Sequence, residues 1–293
     1  MSYPFLKGHG TENDFVLLPD HDGSVHGDLP IERVRALCDR RAGIGADGVL
    51  RVVRTAQVVE PAQVVEPVET PGAEWFMDYR NADGSIAEMC GNGVRVFGRH
   101  LALEGLVDPS VPVPIATRDG IKVLTFADGS AEGEITVDMG MPKVLEETEV
   151  GVTVDGSARR WTARHVDMGN PHAVAFLDDG QDLADVGPLT SRPSYDAGVY
   201  PDGVNVEFVV RPGDAHLAMR VHERGSGETR SCGTGACAVA VAGALRDVPE
   251  GGARDVPYRV DLPGGTLTIT WTADDRILMA GPAVLVASGD TDL

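Results

Sequence analysis

Two short stretches of the 293-residue chain set a cysteine ahead of a Gly-x-Gly turn: EMCGNGVRVFG at residues 88–98 and ETRSCGTGACA at residues 228–238. A helical pattern follows each turn. After Cys90, residues Val94, Phe97 and Leu101 mark one apolar face; after Cys232, ACAVAVAGAL is apolar all round, as an enclosed helix should be. The first turn of a helix leaves backbone N–H groups unpaired and carries partial positive charge. A thiol placed there ionises more easily, and flanking glycines let an anion approach the bare amides. Each corner therefore offers a candidate thiolate and an anion cradle.

Several chemistries fit one such corner. A cysteine beside a tight glycine turn can simply fill space, and a short motif without context says little; two matching corners in one chain say more. Zinc would want a C-x-x-C pair, which the chain lacks, and Cys232 with Cys237 is poorly spaced against scattered histidines. Neither corner carries the lysine of a phosphate-binding P-loop. A redox pair is open chemically but again lacks the C-x-x-C arrangement. A reaction that uses both corners is inversion of a stereocentre next to a carboxylate, which needs a base on one face of the carbon and an acid on the other. A thiolate and a thiol can fill those roles and exchange them in the reverse direction, while the helix ends stabilise the charge that builds as the α-proton leaves. No pyridoxal lysine is demanded.

The totals narrow the setting. A length of 293 residues favours two domains, and 42% hydrophobic residues can give each its own core. The formal net charge of −20 argues against nucleic acid or an anionic membrane as partner. The N-terminal MSYPFLKGHG has no basic segment leading into an apolar stretch, and the longest apolar or glycine run, 236–245, falls well short of the roughly 18 residues a membrane span needs. A cytoplasmic protein is expected. Its four cysteines are then free thiols, and Cys38, on the apolar face of a helix predicted over 31–41, and Cys237 read as packing residues.

Elsewhere strand signals dominate. DFVLLP, GVLRVVR, EWFMDYR, IKVLTF, EITVDM, HAVAFL, VNVEFVV, HLAMRVHE, TLTITW and AVLVAS are rich in β-branched or aromatic residues and bounded by Gly, Pro or Asp. Asp119-Gly120 and Asp128-Gly129 read as hairpin turns. Residues 56–67 repeat AQVVEP in tandem, and the prolines mark an exposed insertion of low structural content. Each half of the chain runs from strands to a polar glycine-rich turn, then Cys-Gly-x-Gly and a helix. A mixed α/β (α+β) protein of two similar lobes is expected, dividing near residue 133.

Six ordered segments, GTENDF, RAGIGADG, RNADGSIAEMCGNGVR, MGNPH, YPDGVNVEF and ERGSGETRSCGTGACA, closely resemble the diaminopimelate epimerase family over nearly the whole chain. The resemblance implies interconversion of LL- and meso-diaminopimelate without pyridoxal phosphate or metal, on the route to lysine and peptidoglycan, with Cys90 and Cys232 as acid and base. It implies substrate contacts at Asn13, Asn81, Asn170, Asn205, Glu223 and Arg224 and at the amides of Gly91, Asn92, Gly233 and Thr234. His172 and Glu223 would tune the thiols. It further implies two pseudo-symmetric lobes, each a sheet wrapped around a central helix: residues 1–133 joined by 282–293, and residues 134–281, with the active site in the cleft and a homodimeric assembly. The chemistry suits the residues: Arg224 can grip a carboxylate in a planar fork and Glu223 can accept from an ammonium. One departure is Gly48, where many relatives carry a glutamine. Proline racemase and hydroxyproline epimerase relatives also pair cysteines, but they usually have histidine where Asn92 stands and lack ERGSGET. A non-catalytic amino acid binder would keep the cradles without needing the thiols.

Overall fold

The computed structural model describes residues 2–58 and 72–293. The tandem repeat lies outside these from residue 59 onward. The chain divides into two units, Met1–Val137 with Gly281–Leu293, and Asp138–Ala280. Three α-helices are found among the described residues: α1 (Ile31–Cys38), α2 (Gly91–Leu103) and α3 (Gly233–Asp247).

In the first unit the strand Tyr3–Gly10 pairs antiparallel with Asn13–Pro19 and with the C-terminal strand Val284–Thr291. Asn13–Pro19 runs parallel to Gly48–Arg54, which pairs antiparallel with Trp75–Asn81. This sheet curls round α2, which touches strands from Tyr3–Gly10 through Val113–Thr117 and also Val284–Thr291. Val94, Val96, Phe97 and Leu101 are wholly buried, each contributing about 1.5–3 kcal/mol. The one-faced pattern expected of this helix is corrected: Arg95, Arg99 and His100 are buried too. Enclosure leaves no face for water, so the guanidinium groups are satisfied by carbonyls, Arg99 donating to Ala283 O (3.0 Å) and Gly133 O (2.6 Å). Close approach of the sheet also demands Gly98, where a Cβ would lie 2.3 Å from Leu124 Cδ2.

The predicted helix over 31–41 stops at Cys38 because Asp39 is extended and its carboxylate accepts from the Arg41 and Ala42 amides (2.7 and 2.8 Å), diverting the chain. Cys38 is buried, and burial raises its thiol to about 11, which leaves it a packing residue.

The second unit repeats the plan. α3 contacts Ser157–Asp167, Pro171–Phe176, Asn205–Gly213, His216–Glu223, Pro257–Leu262 and Gly265–Trp271. Pro171–Phe176 runs parallel to Asn205–Gly213 with His172 opposite Asn205, so alternate residues His172, Asn205 and Glu207 belong to one region of the sheet. The ten expected strands are all present. The ribbon of Lys143–Val154 and Ser157–Asp167 was not anticipated; it is charged and largely exposed, and cross-strand pairs such as Arg160–Glu149 (2.5 Å) and Arg164–Glu147 (2.7 Å) decorate it. Of the two Asp-Gly turns, Asp119-Gly120 closes a tight hairpin, while Asp128-Gly129 sits in a longer connection with both residues at positive φ.

Candidate active site

Both cysteine corners are helix starts. Cys90 is the N-cap of α2 in extended conformation, and its sulfur accepts from Gly93 N (3.5 Å). Cys232 is the N-cap of α3, and its sulfur accepts from Gly235 N (3.4 Å). Each thiol takes the place a serine or aspartate side chain usually fills, while Gly91 and Asn92, or Gly233 and Thr234, hold the first-turn N–H groups.

In the first unit three of the expected residues meet. Asn13, at the start of its strand, turns its Oδ1 toward the Cys90 thiol (3.5 Å) and the Asn92 Nδ2 (3.2 Å). Its own Nδ2 donates to Asp47 Oδ2 (2.8 Å), which fixes the carboxamide. Asp47 is in turn tied to Arg40 (2.6 Å), itself forked onto Asp14. Asn92 Oδ1 accepts from Arg95 Nη2 (2.9 Å), so a buried arginine one turn along α2 orients a site residue. Asn81 donates from Nδ2 to Ser85 Oγ (2.9 Å) in the turn after Trp75–Asn81.

In the second unit Asn205 is a connector. Its Nδ2 donates to Pro171 O (3.2 Å) and its Oδ1 accepts from Arg224 N (2.9 Å), tying the MGNPH turn to the ERGSG turn. The Arg224 side chain is exposed and lines a shallow pocket of about 230 Å³ with Arg192, Tyr195, Asp202 and His222. Glu223 accepts from Thr229 Oγ1. His172 is fully buried, with Nδ1 2.6 Å from Glu207 Oε1 and Nε2 3.1 Å from Asn170 Oδ1. The Cys232 sulfur also lies 3.6 Å from Thr234 Oγ1.

At Cys232 burial works against the helix end. Burial pushes its thiol well up, and the Glu223 and Glu207 carboxylates push the same way, outweighing the hydrogen bonds from Thr234 and Gly235.

The diaminopimelate epimerase family profile matches residues 5–145 and 164–286. The chain belongs to that family. Diaminopimelate epimerase of Streptomyces coelicolor is 56% identical over 98% of this chain and 95% of its own length, and that of Rhodococcus opacus 48% over 98% and 96%. Among solved structures, a phenazine biosynthesis protein of the PhzF family from Bacillus anthracis covers the whole chain and is itself wholly covered, with TM-score 0.66 and 16% identity. A probable proline racemase from Agrobacterium radiobacter covers 99% of this chain and 93% of its own, with TM-score 0.64 and 15% identity. These two show the shared fold. The chain is thus an isomerase of the diaminopimelate epimerase family, and no helix among its described residues is long and apolar enough to cross a membrane.

Gly48 has a packing reason. A Cβ there would fall 2.6 Å from Arg80 O and 2.7 Å from Tyr79 Cε2, so the neighbouring strand would have to shift to admit a side chain. Three residues around the family's motifs escaped the sequence reading: Asp47, Arg95 and Glu207. Only Glu207 left a local signal, a lone carboxylate inside the apolar strand VNVEFVV, two residues from Asn205.

Proposed function

We propose that this isomerase interconverts LL- and meso-diaminopimelate by passing the α-proton through Cys90 and Cys232, without a cofactor. One observation carries the reading: in a chain of this family, each of two helices opens on a cysteine N-cap backed by Gly-x-Gly amides. The thiolate takes the α-hydrogen as a proton from one face of the carbon, and the thiol gives its hydrogen to the other. The two sulfurs thereby exchange states, and the resulting form runs the reverse reaction.

The amides of Gly91, Asn92, Gly233 and Thr234 hold the reacting carboxylate and stabilise the negative charge that spreads onto it. Arg224 grips the distal carboxylate, with Asn81, Asn170 and Asn205 donating or accepting beside it, and Glu223 accepts from an ammonium. Asn13 contacts the reacting end next to Cys90. His172 and Glu223 set the ionisation of the thiols. The enzyme works in the cytoplasm as a homodimer on a free small molecule, in keeping with a net charge of −20 that repels nucleic acid.

Incubation with LL-diaminopimelate in heavy water tests this. Deuterium should appear at the α-carbon of the inverted product; a product that keeps its original hydrogen there, or a substrate that neither exchanges nor inverts, would sink the two-thiol reaction.

A further inference from the structure

We propose that Glu207 is a positioning residue: through His172 it fixes which edge of the Asn170 carboxamide is left to the substrate. This rests on the reading of Asn170 as a substrate contact. Glu207 sits in Asn205–Gly213 among Val206, Phe208 and Val209, and none of its surface reaches solvent. A carboxylate in such a place is costly unless it is paired and hydrogen-bonded. Its partner is equally buried: His172 Nδ1 lies 2.6 Å from Glu207 Oε1. The parallel register that sets His172 opposite Asn205 makes the contact possible, since Glu207 is on the same side of its strand as Asn205.

The histidine passes the constraint on. Its Nε2 lies 3.1 Å from Asn170 Oδ1, and a carboxamide oxygen can only accept, so Nε2 carries a hydrogen. On the other side of the ring Nδ1 faces a carboxylate oxygen and shares a hydrogen with it. The ring is therefore fixed by an acceptor at each nitrogen. With Oδ1 of Asn170 engaged, its two Nδ2 hydrogens are the ones available to a carboxylate or carbonyl. A glutamine at 207 offers Nδ1 a donor as readily as an acceptor, so the ring is no longer held to one tautomer and the Asn170 carboxamide is free to turn over.

Two further facts place Glu207 at the Cys232 corner rather than in remote packing. A Cβ on Gly235 would meet Glu207 Oε1 at 2.8 Å and Cys232 Sγ at 3.2 Å, so the carboxylate and the sulfur flank one empty spot at the first turn of α3. The helix N-terminus favours an anion there. Glu207 Oε2 is also buried and makes no hydrogen bond to the described residues, so the carboxylate is held mainly through its contact with His172. A group kept only for stability would be better replaced by an apolar one.

The test is a double-mutant cycle on the full enzyme, measuring kcat and KM for wild type, Glu207→Gln, Asn170→Ala and the pair. Glu207→Gln should lower kcat/KM about tenfold or more while the protein keeps its circular dichroism. Added to Asn170→Ala, it should cost little more, because its path runs through Asn170. Equal losses in both backgrounds, or no loss in Glu207→Gln alone, would overturn the proposal. An Asn170→Ala enzyme with unchanged kinetics would remove the substrate contact itself, and the proposal with it, while leaving the deuterium test of the two thiols untouched.

Discussion

His100 gives the sharpest quantitative expectation. It lies on the last turns of α2, 2% exposed, and neither ring nitrogen has a hydrogen-bond partner among the described residues. Burial lowers its pKa from 6.5 to about 4, opposed by Glu104 and aided by His21. A histidine whose folded pKa is depressed stabilises the fold fully above its unfolded value and loses that contribution as pH falls from about 6.5 through about 4. At 1.36 kcal/mol per unit, the shift costs the folded state ~3 kcal/mol by the time the pH reaches about 4. A His100→Phe variant keeps an apolar ring in the cavity and has no proton to take up. Urea unfolding of both proteins at a series of pH values between 7.5 and 4 should give stability curves that run together near neutrality, apart from a constant offset, and diverge by ~3 kcal/mol at the acid end. Carboxylates titrate in both proteins, as do His26 and His165, which burial also lowers, so their effects cancel in the difference. Parallel curves would show that His100 is protonated in the folded state without penalty, and the burial argument would be wrong.

Other outcomes follow from the same geometry. Cys90→Ala and Cys232→Ala should each abolish inversion of diaminopimelate with circular dichroism unchanged; full turnover in either would end the two-thiol assignment. Gly235→Ala puts a Cβ 2.8 Å from Glu207 Oε1 and 3.2 Å from Cys232 Sγ, and steady-state kinetics should show activity reduced on the order of a hundredfold for a small displacement of the sulfur. Because burial and two carboxylates push the Cys232 thiol up, it should be alkylated slowly at neutral pH and faster as the pH rises; mass spectrometry finding it among the fastest-labelled cysteines at neutral pH would contradict this. Gly98→Ala should destabilise the protein by about 1–3 kcal/mol in urea unfolding, since its Cβ would lie 2.3 Å from Leu124 Cδ2.

Features set within a few residues were legible in the chain. The two Cys-Gly-x-Gly corners could be recognised as helix starts because an N-cap, its glycines and the apolar run behind them are consecutive. Strands such as Gly48–Arg54 and Asn205–Gly213 announced themselves through β-branched residues. The exposed ribbon from Lys143 to Asp167 did not, because charged residues like Glu147 and Arg164 favour a strand only once a partner strand sets them side by side.

What the tertiary structure alone decided is the environment each motif meets. The local sequence around Cys232 argues for an easily ionised thiol; burial, together with Glu223 and Glu207 brought from two other strands, pushes the other way. Likewise Asp47 and Arg95 orient Asn13 and Asn92 through carboxamide bonds, and Gly48 is packed closely by Tyr79 and Arg80 of the neighbouring strand. The chain by itself determines where helices begin, which residues can carry a proton and to which family they belong. Charge–charge and desolvation effects act through space on neighbours far apart in the chain, so the protonation state and the aim of those residues exist only in the folded molecule.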